Sequence, residues 1–331
     1  MRTRYSIIIP VYDRPDEMDE LLSSLEKLSF RNFEVIIVED GSQHTCEHVV
    51  NSYPDLSITY RVQQNQGPGV ARNFGASLAN GEWLVFLDSD TVIPSHYLNA
   101  INEFELLDQL DFFGGPDASL DNFTTLQKAI GYSMTSFLST GGIRGGKRSL
   151  EKFKPRSFNM GIRRQTFSEL GGFSNLRFGE DIDFSLRLAN AKKAGSLILD
   201  AFVYHKRRST FKQFFKQVYN SGIARVVLSD LHPGSLKIVH LLPLAFTTFH
   251  FFLFLLAVID RRFAFLLTMY PLLFFATSLI ENKSIKVAIV SVFSVYVQLF
   301  GYGLGMVNGL WHKYVRRKEI SYAFRDTFYE D

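Results

Sequence analysis

Two short acidic segments have the residue types and spacing to hold a divalent cation. Asp88-Ser89-Asp90 directly follows the apolar run from Trp83 to Leu87, and Glu39-Asp40-Gly41-Ser42 follows an earlier apolar run. Carboxylates at positions i and i+2 of a strand point to opposite faces, but where the backbone turns at the strand end both can approach one ion. Oxygen ligands suit Mg²⁺ or Mn²⁺. We therefore expect Asp88 and Asp90 to bind one of these ions, with a helix cap as the alternative role.

Three further segments have chemically useful side chains. Gln66 to Asn73 places two glycines and Arg72 at a predicted helix start, where backbone N–H groups favour an anion. Glu180-Asp181 begins another predicted helix, where acidic residues are favourable by charge alone. His205 precedes a basic run, and a lone histidine is more often structural than a metal ligand.

The elements that position these residues alternate between strand and helix. Apolar runs predict strands at 5–11, 33–38, 57–62 and 83–87, and helices are predicted from Pro15 and over 69–79. This alternation indicates an α/β fold with a mostly parallel sheet and helices on both faces. Ligands of such sheets bind at the carboxyl ends of the strands, which is where both acidic segments lie.

The middle of the chain is less regular. We expect strands over 111–115, 158–163 and 196–204, and a helix ending near Leu170. Residues 181–191 fit an amphipathic helix with Ile182, Leu186 and Ala189 facing inward. Residues 139–149 form a glycine-rich basic loop that we expect to be mobile.

Three apolar segments follow, at about 236–259, 263–280 and 285–310. A membrane span needs about 20 apolar residues, so these are predicted transmembrane helices, and residues 312–331 form a basic amphipathic tail. Three full spans would place the basic tail opposite the N-terminal domain, against the positive-inside tendency. One segment is alternatively re-entrant or interfacial, and the sequence leaves this open.

Composition limits the remaining choices. The 331 residues have a formal net charge of only +3, so nothing in the overall charge indicates nucleic acid. Cys46 is the single cysteine, which excludes an intrachain disulfide and fits a reducing compartment. The N-terminal apolar run leads into charged residues without a cleavage site, so we expect the N-terminal domain to stay in the cytoplasm.

Taken together and in order, these segments resemble the family 2 glycosyltransferases, which have the GT-A fold. The resemblance extends over about residues 4–220. The matching residues are Ser6 to Tyr12, Glu39 to Ser42, Asn65 to Gly75, Gly81 to Asp90 and Gly179 to Asp183.

The resemblance implies a Rossmann-like, nucleotide-sugar-binding domain over 1–233, followed by the transmembrane helices of 234–311. It implies that Pro10, Tyr12 and Asp40 line the nucleoside pocket, with Asp40 at a uracil or ribose. Further residues that it places at the donor or the metal are Arg72, Asp88, Asp90, Asn159, His205, Arg207 and Arg208.

The resemblance also implies that Glu180-Asp181 supplies the catalytic base. Asp181 would take the proton of the acceptor hydroxyl in one inverting displacement. A base near the acceptor and a metal near the leaving group require two separated carboxylate clusters, and the sequence has them. The basic residues after His205 alternate with Phe211, Phe214 and Phe215, which also suits a membrane-surface patch.

One departure from the family affects the product. Polymer-forming members have a Gln-x-x-Arg-Trp motif after the base, whereas Gln217 to Ser221 here lacks Arg-Trp. We therefore expect transfer of one or a few sugars, from a UDP-linked donor, to a lipid-linked glycan of the cell envelope. The expected place is the cytoplasmic face of a bacterial inner membrane. A polyprenyl-phosphate sugar synthase and a catalytically silent membrane scaffold are the alternatives, and the oligomeric state is open.

Overall fold

The computed structural model describes residues 3–118, 123–140 and 153–317, which form two compact units. The first unit comprises Met1–Ala118 and Phe153–Lys206, and the second comprises Ser119–Lys152 and Arg207–Asp331. We expected a domain boundary near residue 233. The compact units divide at Lys206, because the helix that follows packs with the C-terminal helices. The expected boundary stays a prediction.

The strands belong to the first unit. In chain order they are β1 (Tyr5–Val11), β2 (Phe33–Asp40), β3 (Ile58–Gln63), β4 (Trp83–Leu87), β5 (Thr91–Val92), β6 (Phe112–Gly114), β7 (Asp117–Ala118), β8 (Asn159–Arg163), β9 (Gly195–Leu197) and β10 (Val203–His205). A seven-stranded sheet has the order β3-β2-β1-β4-β8-β6-β9, and a small sheet has the order β5-β10-β7. Strands β3, β2, β1 and β4 are parallel, and β8 is antiparallel to its neighbours β4 and β6. The predicted mostly parallel sheet is confirmed.

The helices run from α1 to α12. They are α1 (Pro15–Glu26), α2 (Glu47–Val50), α3 (Pro68–Leu78), α4 (Tyr97–Asn102), α5 (Thr125–Thr135), α6 (Phe137–Thr140), α7 (Arg164–Glu169), α8 (Glu180–Asn190), α9 (Phe211–Leu231), α10 (Ile238–Ile259), α11 (Arg262–Asn282) and α12 (Ile285–Trp311). A short π-helical turn, His312–Arg316, follows α12.

Helices cover both faces of the large sheet, and β1 is therefore buried on both sides. Ile7 and Ile9 pack with Leu21 and Leu25 of α1 on one face. On the other face Ile8 packs with residues of α3 and α8. The carboxyl ends of β1, β2 and β4 therefore remain at one edge, where the polar segments lie.

Two predictions for the middle of the chain were wrong. Helix α8 buries Phe184 and Leu188, whereas Ala189 is exposed and Ile182 and Leu186 are only half-buried. The acidic first turn of α8 is itself buried, which rotates the apolar face away from the expected one. The expected strand over 196–204 is two strands, because β9 pairs with β6 whereas β10 joins the small sheet. Residues 141–149 of the expected mobile loop lie outside the described residues.

The second unit contains three helices that are long and apolar enough to cross a membrane, at Ile238–Ile259, Arg262–Asn282 and Ile285–Arg316. Helix α12 packs against α9 and α5 as well as against α10 and α11. The sequence-based bounds of the apolar segments agree with those of α10, α11 and α12 to within about two residues.

Candidate functional site

The pairing of two short strands brings a histidine to the acidic pair that follows β4. Strand β10 pairs antiparallel with β5, so that His205 lies opposite Thr91, the residue after Asp90. As a result His205 Nε2 lies 3.2 Å from Asp90 Oδ1. One ligand atom from each of Asp88, Asp90 and His205 falls within 4.8 Å of the other two, so this group could hold a metal ion.

The chemistry of this donor set fits a divalent cation. Two carboxylates and one imidazole are ordinary ligands of such ions. The His205 ring stacks on Phe158, with ring centroids 4.7 Å apart, which fixes the ring orientation. Its Nδ1 atom is buried and has no hydrogen-bond partner among the described residues.

Arg14 also contacts the acidic pair, and the sequence analysis did not single it out. Arg14 Nη1 lies 2.8 Å from Asp90 Oδ2. The preceding residue, Asp13, has a φ of 49°, and its carboxylate accepts hydrogen bonds from the amides of Gln43 and His44. This turn after β1 directs Arg14 toward the end of β4. The adjacent charged pair Asp13-Arg14 was the only sequence signal for it.

Arg72 connects the metal-ligand candidates to the start of α8. Its Nη2 lies 2.6 Å from Asp88 Oδ1, and its Nη1 lies 2.9 Å from Glu180 Oε1. The side chain is only 4% exposed, and its guanidinium lies over the Phe173 ring. Arg72 thus binds two carboxylates that are 92 residues apart in sequence (180 − 88).

The first two acidic residues of α8, Glu180 and Asp181, have different environments. Burial and the neighbouring Asp181 charge raise the pKa of Glu180 to about 7, although Arg72 opposes the shift. Burial would also raise the pKa of Asp181, but the charge and hydrogen bond of Arg156 outweigh it and hold that pKa below its usual range. Arg156 Nε lies 2.6 Å from Asp181 Oδ2, and sequence reasoning missed this contact.

The predicted donor-binding residue Asp40 is buried with its carboxylate engaged. It accepts hydrogen bonds from the Gln63 side chain and from the backbone amides of Gln66 and Gly67, at 2.7–2.9 Å. We expected an anion at the backbone N–H groups near the start of α3. In the structure the Asp40 carboxylate is the anion that accepts their hydrogen bonds. A contact of Asp40 with a nucleoside stays a prediction.

Asn159 is similarly engaged in the interior. Its Oδ1 accepts a hydrogen bond from the Tyr97 hydroxyl at 2.7 Å, and its Nδ2 donates to the Ala201 carbonyl at 2.8 Å. These bonds connect β8 to α4 and to the residues before β10. A direct contact of Asn159 with a sugar stays a prediction.

The other predicted donor-binding residues are half-buried. Pro10 and Tyr12 lie at the carboxyl end of β1, in the first unit. Arg207 and Arg208 belong to the second unit, where the Arg207 carbonyl accepts a hydrogen bond from the Gln127 side chain. The donor-binding roles of all four residues stay predictions.

Sequence comparisons identify related proteins. The family model described as glycosyl transferase family 2 matches residues 6–171. An uncharacterized glycosyltransferase of Haemophilus influenzae is 35% identical over 189 residues, which are 55% of this chain and 61% of the relative. One of Rickettsia felis is 38% identical over 89 residues, which are 27% of this chain and 15% of the relative. The chain thus spans less than two thirds of the length of these relatives.

A solved structure has the same fold. A mannosyltransferase of Pyrobaculum calidifontis, solved in complex with GDP-Man and Mn²⁺, superposes with a TM-score of 0.67. The similarity extends over 95% of this chain and 88% of that chain, at 17% sequence identity. At this identity the comparison establishes the GT-A fold.

Proposed function

Because the chain belongs to the glycosyl transferase family 2, and is therefore a glycosyltransferase, we propose a specific reaction for it. It transfers a sugar from a nucleotide diphosphate sugar, expected to be UDP-linked, to a lipid-linked glycan acceptor. The transfer inverts the anomeric configuration, depends on Mn²⁺ or Mg²⁺, and takes place at the cytoplasmic face of the membrane.

The observation that supports this proposal most strongly is the bridge formed by Arg72. It joins Asp88, in the candidate metal group, to Glu180, next to the candidate base Asp181. The proposed inverting displacement places a metal at the leaving group and a base at the acceptor, on opposite sides of the anomeric carbon. The buried Arg72 guanidinium fixes the carboxylates of Asp88 and Glu180 in position relative to each other.

In the proposed mechanism each carboxylate has a separate task. Asp88, Asp90 and His205 would hold the divalent ion, which would neutralise negative charge on the departing diphosphate. Asp181 accepts the proton of the acceptor hydroxyl as the oxygen attacks the anomeric carbon. The new glycosidic bond forms as the bond to the diphosphate breaks, and the electron pair leaves with the diphosphate. Arg156 orients the Asp181 carboxylate through Oδ2.

The apolar helices support a lipid-linked acceptor. Three helices of the second unit are long and apolar enough to cross a membrane. An enzyme that acts on a soluble sugar has no need of such helices, whereas an acceptor held in the bilayer requires a catalyst at its surface.

The contact between Arg156 and Asp181 favours a second candidate, a polyprenyl-phosphate sugar synthase. A guanidinium beside the base is suited to bind the phosphate of such an acceptor. A phosphate oxygen is already ionised at neutral pH, so its attack requires no base. The Asp181→Asn variant would then keep most of its activity with a lipid phosphate acceptor, and lose it with a hydroxyl acceptor.

The first experiment measures donor binding by the purified full chain in detergent. Thermal unfolding is followed with nucleotide diphosphates and their sugars, each with and without Mn²⁺. A metal-dependent increase of the unfolding temperature with one nucleotide identifies the donor base. Hydrolysis of that donor then separates an enzyme from a silent scaffold. The absence of any shift or hydrolysis, also with lipid acceptor added, would overturn the proposal.

A further inference from the structure

The contacts of α12 with α10 show in which direction this apolar helix runs. Thr247 Oγ1 donates a hydrogen bond to the Leu299 carbonyl, and His250 Nε2 lies 3.4 Å from the Tyr296 hydroxyl. One turn earlier on α10, the Pro243 carbonyl abuts Gly303, where an added Cβ would lie 2.7 Å away. Among the contacting residues, residue numbers increase along α10 as they decrease along α12, so the two helices are antiparallel where they touch.

Helix α12 is also antiparallel to α11. The Ser278 hydroxyl donates to Ser291 at 2.8 Å, near the turn that joins the two helices, and Phe274 packs with Val295 and Leu299. Helices α10 and α11 are themselves joined by a tight turn and meet at His250 and Tyr270. In an up-down-up bundle of three spans, the first and third helices are parallel. Because α12 opposes both members of the α10–α11 hairpin, it does not complete such a bundle.

The second half of α12 packs against α9, a helix with charged side chains that are unfavourable in the hydrocarbon core of a bilayer. Close approach of α12 to α9 is allowed by three glycines of α12 spaced four residues apart, Gly301, Gly305 and Gly309. A Cβ atom added at Gly305 would lie 2.0 Å from the Tyr219 carbonyl of α9. The charged residues of α9 are Lys212, Lys216, Arg225 and Asp230. Charged side chains at the centre of a bilayer cost several kcal/mol each. The part of α12 beside α9 therefore lies at the depth of the headgroups.

Helix α12 is more buried than the other two apolar helices. In the most apolar stretch of α10 and of α11 only 11% of residues are buried, against 44% in α12. The exposed large apolar residues of α12 form one stripe, which consists of Ile285, Ile289, Phe293, Leu304, Val307 and Trp311. A helix with one apolar stripe and a terminal Trp fits the membrane interface, with the stripe toward the acyl chains.

The distribution of basic residues agrees with this arrangement. With two spans, Lys313, Arg316 and Arg317 return to the side on which α10 begins, whereas only Arg261 and Arg262 lie on the opposite side. The positive-inside tendency favours the larger cluster on the cytoplasmic side.

We infer that α10 and α11 are the two membrane spans and that α12 lies along the membrane surface, with its Ile285–Trp311 stripe in contact with lipid. Lys313, Arg316 and Arg317 then return to the side of the membrane on which α10 begins. The inference concerns the membrane contact alone, and it would hold if the donor or acceptor differed from those proposed above.

Cysteine labelling tests the topology. Single cysteines replace Arg261, at the α10–α11 turn, Arg316, after α12, and Ser77, an exposed residue of α3 that marks the catalytic side. The native Cys46 is buried and stays in place. We expect a membrane-impermeant maleimide to label Arg261→Cys in intact cells. Labelling of Arg316→Cys and Ser77→Cys should rise several-fold only after permeabilisation.

Two results would overturn the inference. One is labelling of Arg316→Cys in intact cells, which three spans require, and the other is labelling of Arg261→Cys only after permeabilisation.

A depth measurement tests α12 directly and does not depend on sidedness. A fluorescent probe is attached to Phe293→Cys on α12 and, as the matched control, to Phe252→Cys on α10, both of which are exposed. Lipids with a quencher near the headgroup should quench the Phe293 probe more than lipids with a deep quencher, and the control should show the reverse. Deep quenching of both probes would contradict a surface position for α12.

Discussion

At the residue scale, arginines set the properties of the acidic groups. Arg14 contacts Asp90, Arg72 joins Asp88 to Glu180, and Arg156 contacts Asp181. Buried carboxylates without partners would take up protons rather than remain charged. Because Arg156 lowers the pKa of Asp181, this carboxylate is ionised near neutral pH and ready to accept a proton.

Replacing Asp181 by Asn tests its role as the base. A general base contributes about 10²–10⁴-fold to turnover, so the variant should lose transfer to a hydroxyl acceptor by about this factor. The side chain has nearly the same volume, so donor binding should change little. The matched control is Asp183→Asn, which affects a carboxylate paired with Arg187 on the same helix. Turnover and donor affinity are measured for both variants, and wild-type turnover of Asp181→Asn with a hydroxyl acceptor would exclude Asp181 as the base.

Glu180 should make stability depend on pH. Its pKa is about 7 in the folded protein, above its ordinary value of 4.5. Between these values the folded chain keeps a proton that the unfolded chain releases, so the free energy of unfolding should fall as pH rises through this window. Glu180→Gln removes the titrating group and keeps a hydrogen-bond acceptor for Arg72.

The measurement for Glu180 is the thermal unfolding temperature of wild type and variant at a series of pH values from about 4.5 to about 8. The unfolding temperature of the variant minus that of wild type should increase as pH rises, and should level off above about pH 7. Parallel curves for the two proteins would contradict the raised pKa of Glu180.

At the element scale, close helix contacts depend on glycines. Gly305 of α12 and Gly222 of α9 lie in the same interface, and a Cβ at Gly222 would be 2.2 Å from the Tyr302 carbonyl. The contacts are with backbone atoms, which cannot move aside as a side chain does. This interface fixes α9 against the C-terminal half of α12.

Gly305→Val should therefore loosen the α9–α12 interface. Overpacking of this kind typically costs about 1–3 kcal/mol, and contact with backbone favours the upper part of this range. The matched control is Leu304→Val, at the neighbouring exposed position. Thermal unfolding in detergent and proteolysis within α9 are the measurements. Equal stability of the two variants would show that α9 and α12 are not tightly packed.

At the scale of the whole molecule, the candidate site and the apolar helices belong to different units of the chain. The residues that approach the candidate metal group, and the helix start of α8, all belong to the first unit. The second unit contains the apolar helices together with α5, α6 and α9. Tyr132 of α5 donates or accepts a hydrogen bond with Thr277 of α11 at 2.6 Å, so α5 is part of this helical unit although it lies early in the chain.

Removing residues 234–331 should separate the two tasks. The first unit keeps its own sheet and core, so the truncated chain should bind nucleotide with nearly unchanged affinity. Transfer to a lipid acceptor should fall strongly, because α10 to α12 are gone. Detergent is kept throughout, since α5 and α9 lose apolar partners on α11 and α12. Equal activity of full-length and truncated chains on the lipid acceptor would argue against a role of the helices in acceptor access.

The sequence by itself determined the elements whose signals are local. Continuous apolar runs predicted β1 and β4 at their observed bounds, and length and lack of charge predicted the three apolar helices. The acidic pair Asp88 and Asp90 was recognisable because it directly follows an apolar strand. Each of these signals is confined to a few neighbouring residues.

Only the tertiary structure decided which side chains meet. Arg72 contacts a carboxylate 108 positions away and Arg14 one 76 positions away, and neither spacing has a pattern in sequence. His205 reaches Asp90 because β10 pairs with β5, and the inferred surface position of α12 depends on its register with α10 and α11. Local propensity fixes where elements begin and end, whereas the packing of buried surface fixes how distant elements approach. A site assembled from several elements is therefore visible only once they are packed.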